Sequence, residues 1–117
     1  VLASPQTVTE AKFPLCRDPR EPAANADVVI TDVWASMGQE EEKERRQRAF
    51  SGVYQVNEAV MAAARPGAMV QHCLPAHRGE EITAGIFEAH ANEIFDEAEN
   101  RLHAQKAVLY LLMGEPG

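Results

Sequence analysis

The sequence predicts an α/β fold: a Rossmann-like, three-layer arrangement on a parallel sheet, present in part. Three observations predict it. Val28-Val29-Ile30 is a continuous β-branched run, the pattern of a strand buried on both faces of a parallel sheet. Two further short strands are expected at 68–70 and 93–95, with helical stretches between and after them. Polar residues stand close to each run: Asp32 with Ser36, His72 with Cys73, and Asp96 to Arg101. Such sheets bind ligands beyond the carboxyl ends of their strands, so the three clusters are expected at one edge.

Taken in order, Val1 to Ala3 reads as the end of a strand closed by Ser4-Pro5. Residues 6–22 carry Pro14, Pro19 and Pro22 and show no clear period, with at most a helical turn in 7–12. The first strand follows Asp27. Ser36 and Gln39 then form a capping-box pattern, and Glu40 to Glu42 suit a helix N-terminus. Glu41–Arg45, Glu42–Arg46 and Glu44–Arg48 are i,i+4 pairs in the favoured order, the mark of a solvated helical face. Val53, Val56, Val60 and Ala64 give one helical stripe, ended by Arg65-Pro66-Gly67.

Ala68-Met69-Val70 begins the second strand, which runs to His72-Cys73 and breaks at Leu74-Pro75. Thr83 is expected to cap a short helix holding Ile86 and Phe87. Glu93-Ile94-Phe95 reads as a third strand. The last helix is expected to start at Asp96 or Asn100, carry Leu102, Leu109 and Leu112, and end at Gly114 and Pro116.

Composition narrows the function classes. The 117 residues suffice for one domain with a modest core. Eleven basic and 18 acidic side chains give 11 − 18 = −7, which argues against nucleic acid or an anionic membrane as the main partner. Two cysteines make no disulfide framework, so a cytoplasmic, reducing setting is expected. No apolar run is long enough to cross a membrane. The first residues lack the basic region of a signal peptide, and the absence of an initiator Met reads as a cut within a strand. Neither GxGxxG nor GxxxxGK[ST] occurs.

Each cluster has a chemical and a bland reading. Asp32 at a strand end suits a ligand ammonium, or else turns the chain. Ser36 binds a ligand or caps a helix. Met37, beside Gly38, covers a ligand or packs. Trp34 reads as core. Cys73 lies near His72, His77 and Arg78, a setting expected to lower a thiol pKa. An inert Cys, a nucleophile with a His base and a polar wall for a reacting amine and carbonyl all remain open. His72, Cys73 and His77 lack zinc-site spacing, so no metal is expected. Pro75 allows a cis bond after Leu74. Arg101, near the expected start of the last helix, suits phosphate or a polarised carbonyl oxygen, or else pairs with Glu97 or Glu99.

Together, the segments Asp32-Val33-Trp34-Ala35-Ser36-Met37-Gly38-Gln39-Glu40, His72-Cys73-Leu74-Pro75-Ala76-His77-Arg78-Gly79 and Glu97-Ala98-Glu99-Asn100-Arg101 resemble the ornithine carbamoyltransferase family in order and approximate spacing. Asp27 to Gly114 is similar throughout. Sister transcarbamylases for aspartate differ at the Ser-Met loop and carry Pro in place of this Cys.

The resemblance implies roles. Asp32, Ser36 and Met37 would contact ornithine, with Asp32 and Ser36 at its amino-acid end. Cys73 would sit where the ornithine side chain meets the carbamoyl group. Main-chain groups of Cys73 and Leu74 would hold the carbamoyl amide, and Arg101 the carbonyl oxygen of carbamoyl phosphate. Asp32, Cys73 and Arg101 would thus be the catalytic set, with no cofactor. The product would be citrulline, as in arginine biosynthesis.

The family's Ser-Thr-Arg-Thr phosphate loop and His-Pro-x-Gln segment do not occur here. The resemblance therefore implies that residues 1–117 are a partial ornithine-binding domain including the C-terminal helix, without the N-terminal carbamoyl-phosphate domain. The full-length protein would be a homotrimer or a multiple of trimers. The alternative is a non-catalytic module that needs the missing domain for activity.

Overall fold

A computed structural model describes residues 14–35 and 40–114. The expected strand at 1–3, the turn at 7–12 and the Ser36–Gln39 cap lie outside the described residues. The described elements are α1 (Arg20–Ala23), β1 (Val28–Thr31), α2 (Glu40–Phe50), α3 (Glu58–Ala63), β2 (Met69–His72), α4 (Ala84–Ala89) and α5 (Ala91–Met113). Among them β1 and β2 form a parallel pair in the register Val28↔Met69 to Thr31↔His72. This is the partial α/β arrangement expected, with helices in the connection between the strands.

Local chemistry sets most boundaries. Asn57 Oδ1 accepts the N–H groups of Ala59 and Val60 and starts α3. Thr83 Oγ1 accepts the N–H of Ile86 and starts α4, as expected. Gly52 and Gly67 take φ of +77° and +81°, a conformation with little cost for glycine, where the chain leaves α2 and α3. On α2 the Glu42–Arg46 and Glu44–Arg48 pairs form at 2.8 and 3.2 Å, as the spacing suggested. The Glu41 side chain is not among those described.

The core gathers Val56, Val70, Ile82, Phe87 and Ile94, with Val29, Met61, Leu74, Ala76 and Ile86 packed around it. It lies between β2, α4, the first turns of α5 and the loop that carries Ile82. Here four expectations need correction. β1 is not buried on both faces: although all four of its residues pair with β2, Ile30 is 68% exposed and stands outside the core that gathers around Val70.

The stripe from Val53 to Ala64 is not one helix. Val53 is 47% exposed, and Val56 forms a parallel bridge with Ile82 before α3 begins at Glu58. Residues 93–95 are helical, and the last helix starts at Ala91. Ile94 is buried while Phe95 is exposed, and Glu93 Oε2 accepts the N–H of Val70 at 2.9 Å. A helix side chain thus satisfies a β2 amide that a third strand would otherwise take. Finally, Arg20–Ala23 is helical among prolines where no period was visible.

Every residue of α5 from Arg101 onward is exposed, including Leu102, Leu109 and Leu112. Among the described residues, no helix is long and apolar enough to cross a membrane.

Candidate active site

β1 ends at Thr31 and β2 at His72, and these two residues are register partners. The residues that follow, Asp32 and Cys73, are therefore neighbours. The Cys73 thiol donates to Asp32 Oδ1 at 3.2 Å, and the same oxygen accepts the N–H of Val33 at 2.7 Å. The turn role and the ligand-facing role of Asp32 are thus compatible: one oxygen holds the turn, and the side chain stays exposed. Beside it lies a shallow groove lined by Ile30, Thr31, Asp32, Trp34, Phe50 and Tyr54. Trp34 packs edge-on against Phe50 at 6.0 Å, as a packing residue would.

The expectation of a lowered Cys73 pKa is overturned. Burial pushes the thiol up, and the hydrogen bond to Asp32 and the charges of Asp32 and Glu97 push it the same way; only Arg101 pulls it down. The basic neighbours read from the sequence are committed elsewhere. Arg78 pairs with Glu88 at 2.8 Å and lies over the Phe87 ring, and the His77 imidazole faces Glu81, with Nδ1 3.9 Å from Oε2. Cys73 is a hydrogen-bond donor here, which removes the support for a thiolate nucleophile.

Arg101 sits near the middle of α5, not near its start, so the helix-dipole argument does not apply to it. It is exposed, and its charge is felt at Cys73. Among the described residues no ion pair joins it to Glu97 or Glu99, and Glu99 lies instead 3.6 Å from His103. Glu97 Oε2 is buried without a hydrogen-bond partner. The structure therefore brings Asp32 and Cys73 into contact, with the charge of Arg101 the smallest of the influences on the thiol. Ser36 and Met37 lie outside the described residues.

Leu74 follows with φ of +54° and a cis bond to Pro75. Its N–H donates to His72 Nδ1 at 3.0 Å. That nitrogen must therefore be the bare one, and Nε2–H donates to Glu81 Oε1 at 3.0 Å. His72 and Glu81 are both fully buried. Asp32, His72 and Cys73 offer ligand atoms within 4.8 Å of one another, as do His77, Glu80 and Glu81. Both His72 nitrogens are already used, so the first group lacks a free imidazole ligand.

Sequence reasoning missed Glu81. In Arg78-Gly79-Glu80-Glu81 it looks like surface charge, and only the pairing of Val56 with Ile82 turns it inward. The nearby histidines were the one available signal.

A family model described as aspartate/ornithine carbamoyltransferase, Asp/Orn binding domain, matches residues 3–112. The chain is 58% identical over 108 residues to an ornithine carbamoyltransferase of Syntrophus aciditrophicus, covering 91% of this chain and 35% of that one. It is 55% identical over 101 residues to one of Hydrogenovibrio crunogenus, covering 86% and 33%. Among solved structures, the anabolic ornithine carbamoyltransferase of Campylobacter jejuni superposes with a TM-score of 0.86 at 45% identity, over 95% of this chain and 36% of that one. The chain thus spans about a third of the length of the curated relatives it matches.

Proposed function

Because the chain belongs to the aspartate/ornithine carbamoyltransferase family, in its Asp/Orn-binding domain, we propose that it is the ornithine-binding part of an enzyme that carbamoylates the δ-amine of L-ornithine. A carbamoyl-phosphate domain outside residues 1–117 would complete the site. The observation that carries this reading is the meeting of Asp32 and Cys73 at 3.2 Å, beyond register-paired strand ends and within electrostatic reach of Arg101.

In this reading Asp32, with Ser36, takes the α-ammonium end of ornithine through charge-assisted hydrogen bonds, and Met37 covers the side chain. Cys73 lines the place where the δ-amine meets the carbamoyl carbon. The Leu74 N–H is already spent on His72, so this segment offers carbonyl oxygens, which suit the two N–H donors of a carbamoyl amide. Arg101 supports the negative charge that grows on the carbonyl oxygen as the neutral amine attacks. The new C–N bond forms, the C–O bond to phosphate breaks, and the amine loses a proton. The products are citrulline and phosphate. Positioning and electrostatics supply the catalysis, and a protonated Cys73 fits a reaction with no covalent thiol intermediate.

The test joins this chain to the carbamoyl-phosphate-binding part of the Campylobacter jejuni relative and assays citrulline. The folded chimera should turn over, and Asp32→Ala should raise the ornithine KM by about 10- to 100-fold, the loss of one charged hydrogen bond. A folded chimera that makes no citrulline would overturn the reading.

A further inference from the structure

The loop Cys73-Leu74-Pro75-Ala76 is tied at both ends to one oxygen atom. Glu81 Oε1 accepts His72 Nε2–H at 3.0 Å on the N-terminal side and the His77 N–H at 2.6 Å on the C-terminal side. His72 in turn accepts the Leu74 N–H, so the tie reaches the middle of the loop. Leu74 holds a φ of +54°, which non-glycine residues adopt only where the surroundings fix it.

Glu81 is itself firmly based. Its carbonyl accepts the Val56 N–H at 2.8 Å, and Gln55 Nε2 donates to the carbonyls of Gly79 and Glu80. Next to it, Ile82 belongs to the buried core. A fully buried carboxylate in this position is costly unless it is paired and hydrogen-bonded, and the groups that satisfy it here flank this loop. Oε2 finds no hydrogen-bond partner, so its commitments run through Oε1 to this loop. Burying a carboxylate solely to close a surface loop is a poor structural solution, which a shorter apolar contact would improve.

We infer that Glu81 is a positioning residue. Through His72 it sets the tautomer and the Leu74 main chain, and so aims the main-chain groups that recognise the amide of the carbamoyl donor. The inference rests on the proposed reading of the Cys73–Leu74 segment. It concerns donor recognition, since the amino-acid end of ornithine is assigned to Asp32 and Ser36.

The test compares carbamoyl phosphate with acetyl phosphate, which has a methyl group where the donor has its amide. The ratio of their dissociation constants, measured by calorimetry on the chimera described above, does not depend on the folded fraction. The unsubstituted protein should prefer carbamoyl phosphate. Glu81→Ala should reduce that preference by about 10-fold, the value of one hydrogen bond, and lower kcat with little change in the ornithine KM. Glu81→Asp, which withdraws the acceptor by one methylene, should act in the same direction and carries the comparison if the alanine variant does not fold. Glu81→Gln keeps an acceptor oxygen and should restore most of the preference.

An unchanged ratio in the Asp and Ala variants, with kcat per folded protomer also unchanged, would overturn the inference alone. Absence of any preference in the unsubstituted chimera would instead overturn the reading on which it rests.

Discussion

The Cys73 thiol donates a hydrogen bond to Asp32 Oδ1 at 3.2 Å, and this contact joins the ends of the two parallel strands. Burial and this carboxylate both hold the thiol in its protonated form. Iodoacetamide should therefore label Cys73 slowly near neutral pH. Asp32→Ala should shift the labelling profile to lower pH and speed the reaction at pH 8, whereas Arg101→Ala should slow it. Mass spectrometry of the Cys73 peptide, read apart from Cys16, checks this. Equal rates in all three proteins would contradict it.

Glu93 accepts the Val70 N–H and lies 2.9 Å from His90 Nδ1, and the backbone bond, then the histidine, hold its carboxyl below the usual range. A depressed folded-state pKa adds stability above the unfolded pKa, and that stability is lost as pH falls through the folded value. Urea midpoints should therefore drop on acidification through the carboxylate range, in part through Glu93. In Glu93→Gln the midpoint should be lower at pH 7 and its acid dependence shallower. A parallel pair of pH curves would argue against this role.

Ile94 is fully buried in the core, whereas its neighbour Phe95 is 53% exposed. Ile94→Ala should cost about 2–5 kcal/mol in urea unfolding, and Phe95→Ala clearly less. Comparable losses would contradict the burial of Ile94 alone of the two.

Asn57 alone caps α3 with two accepted N–H bonds. Asn57→Ala should cost about 1 kcal/mol, and Asn57→Asp should leave stability close to the original. Circular dichroism during urea titration measures both.

The parts of the fold that sequence made visible are those with a local cause. The β-branched run at 28–30, the Thr83 cap and the breaks at Gly67 and Leu74-Pro75 all have one, and each appears where the residues put it. The cluster residues Asp32 and Cys73 were legible because they follow strands whose pairing brings them together. What stayed hidden is tertiary. Glu93-Ile94-Phe95, with two apolar residues, is too short a segment to separate strand from helix, and packing of Ile94 in the core decides it. Val56 keeps a helical spacing to Val60 yet pairs with Ile82, 26 residues later by sequence number. That same bridge turns Glu81 inward, so the buried His72–Glu81 pair had no local signature. The raised thiol pKa of Cys73 comes from burial and from Asp32, 41 residues away in sequence, and was hidden for the same tertiary reason.

In the proposed function, the edge built on Asp32, Cys73 and Arg101 selects ornithine as the carbamoyl acceptor. The most direct measurement gives the chimera carbamoyl phosphate with equal amounts of L-ornithine and L-aspartate and analyses the products by mass spectrometry. Citrulline is the expected product, with its formation depressed in Asp32→Ala and Arg101→Ala. N-carbamoyl-aspartate as the main product, or citrulline formed at the same rate in both variants, would contradict it.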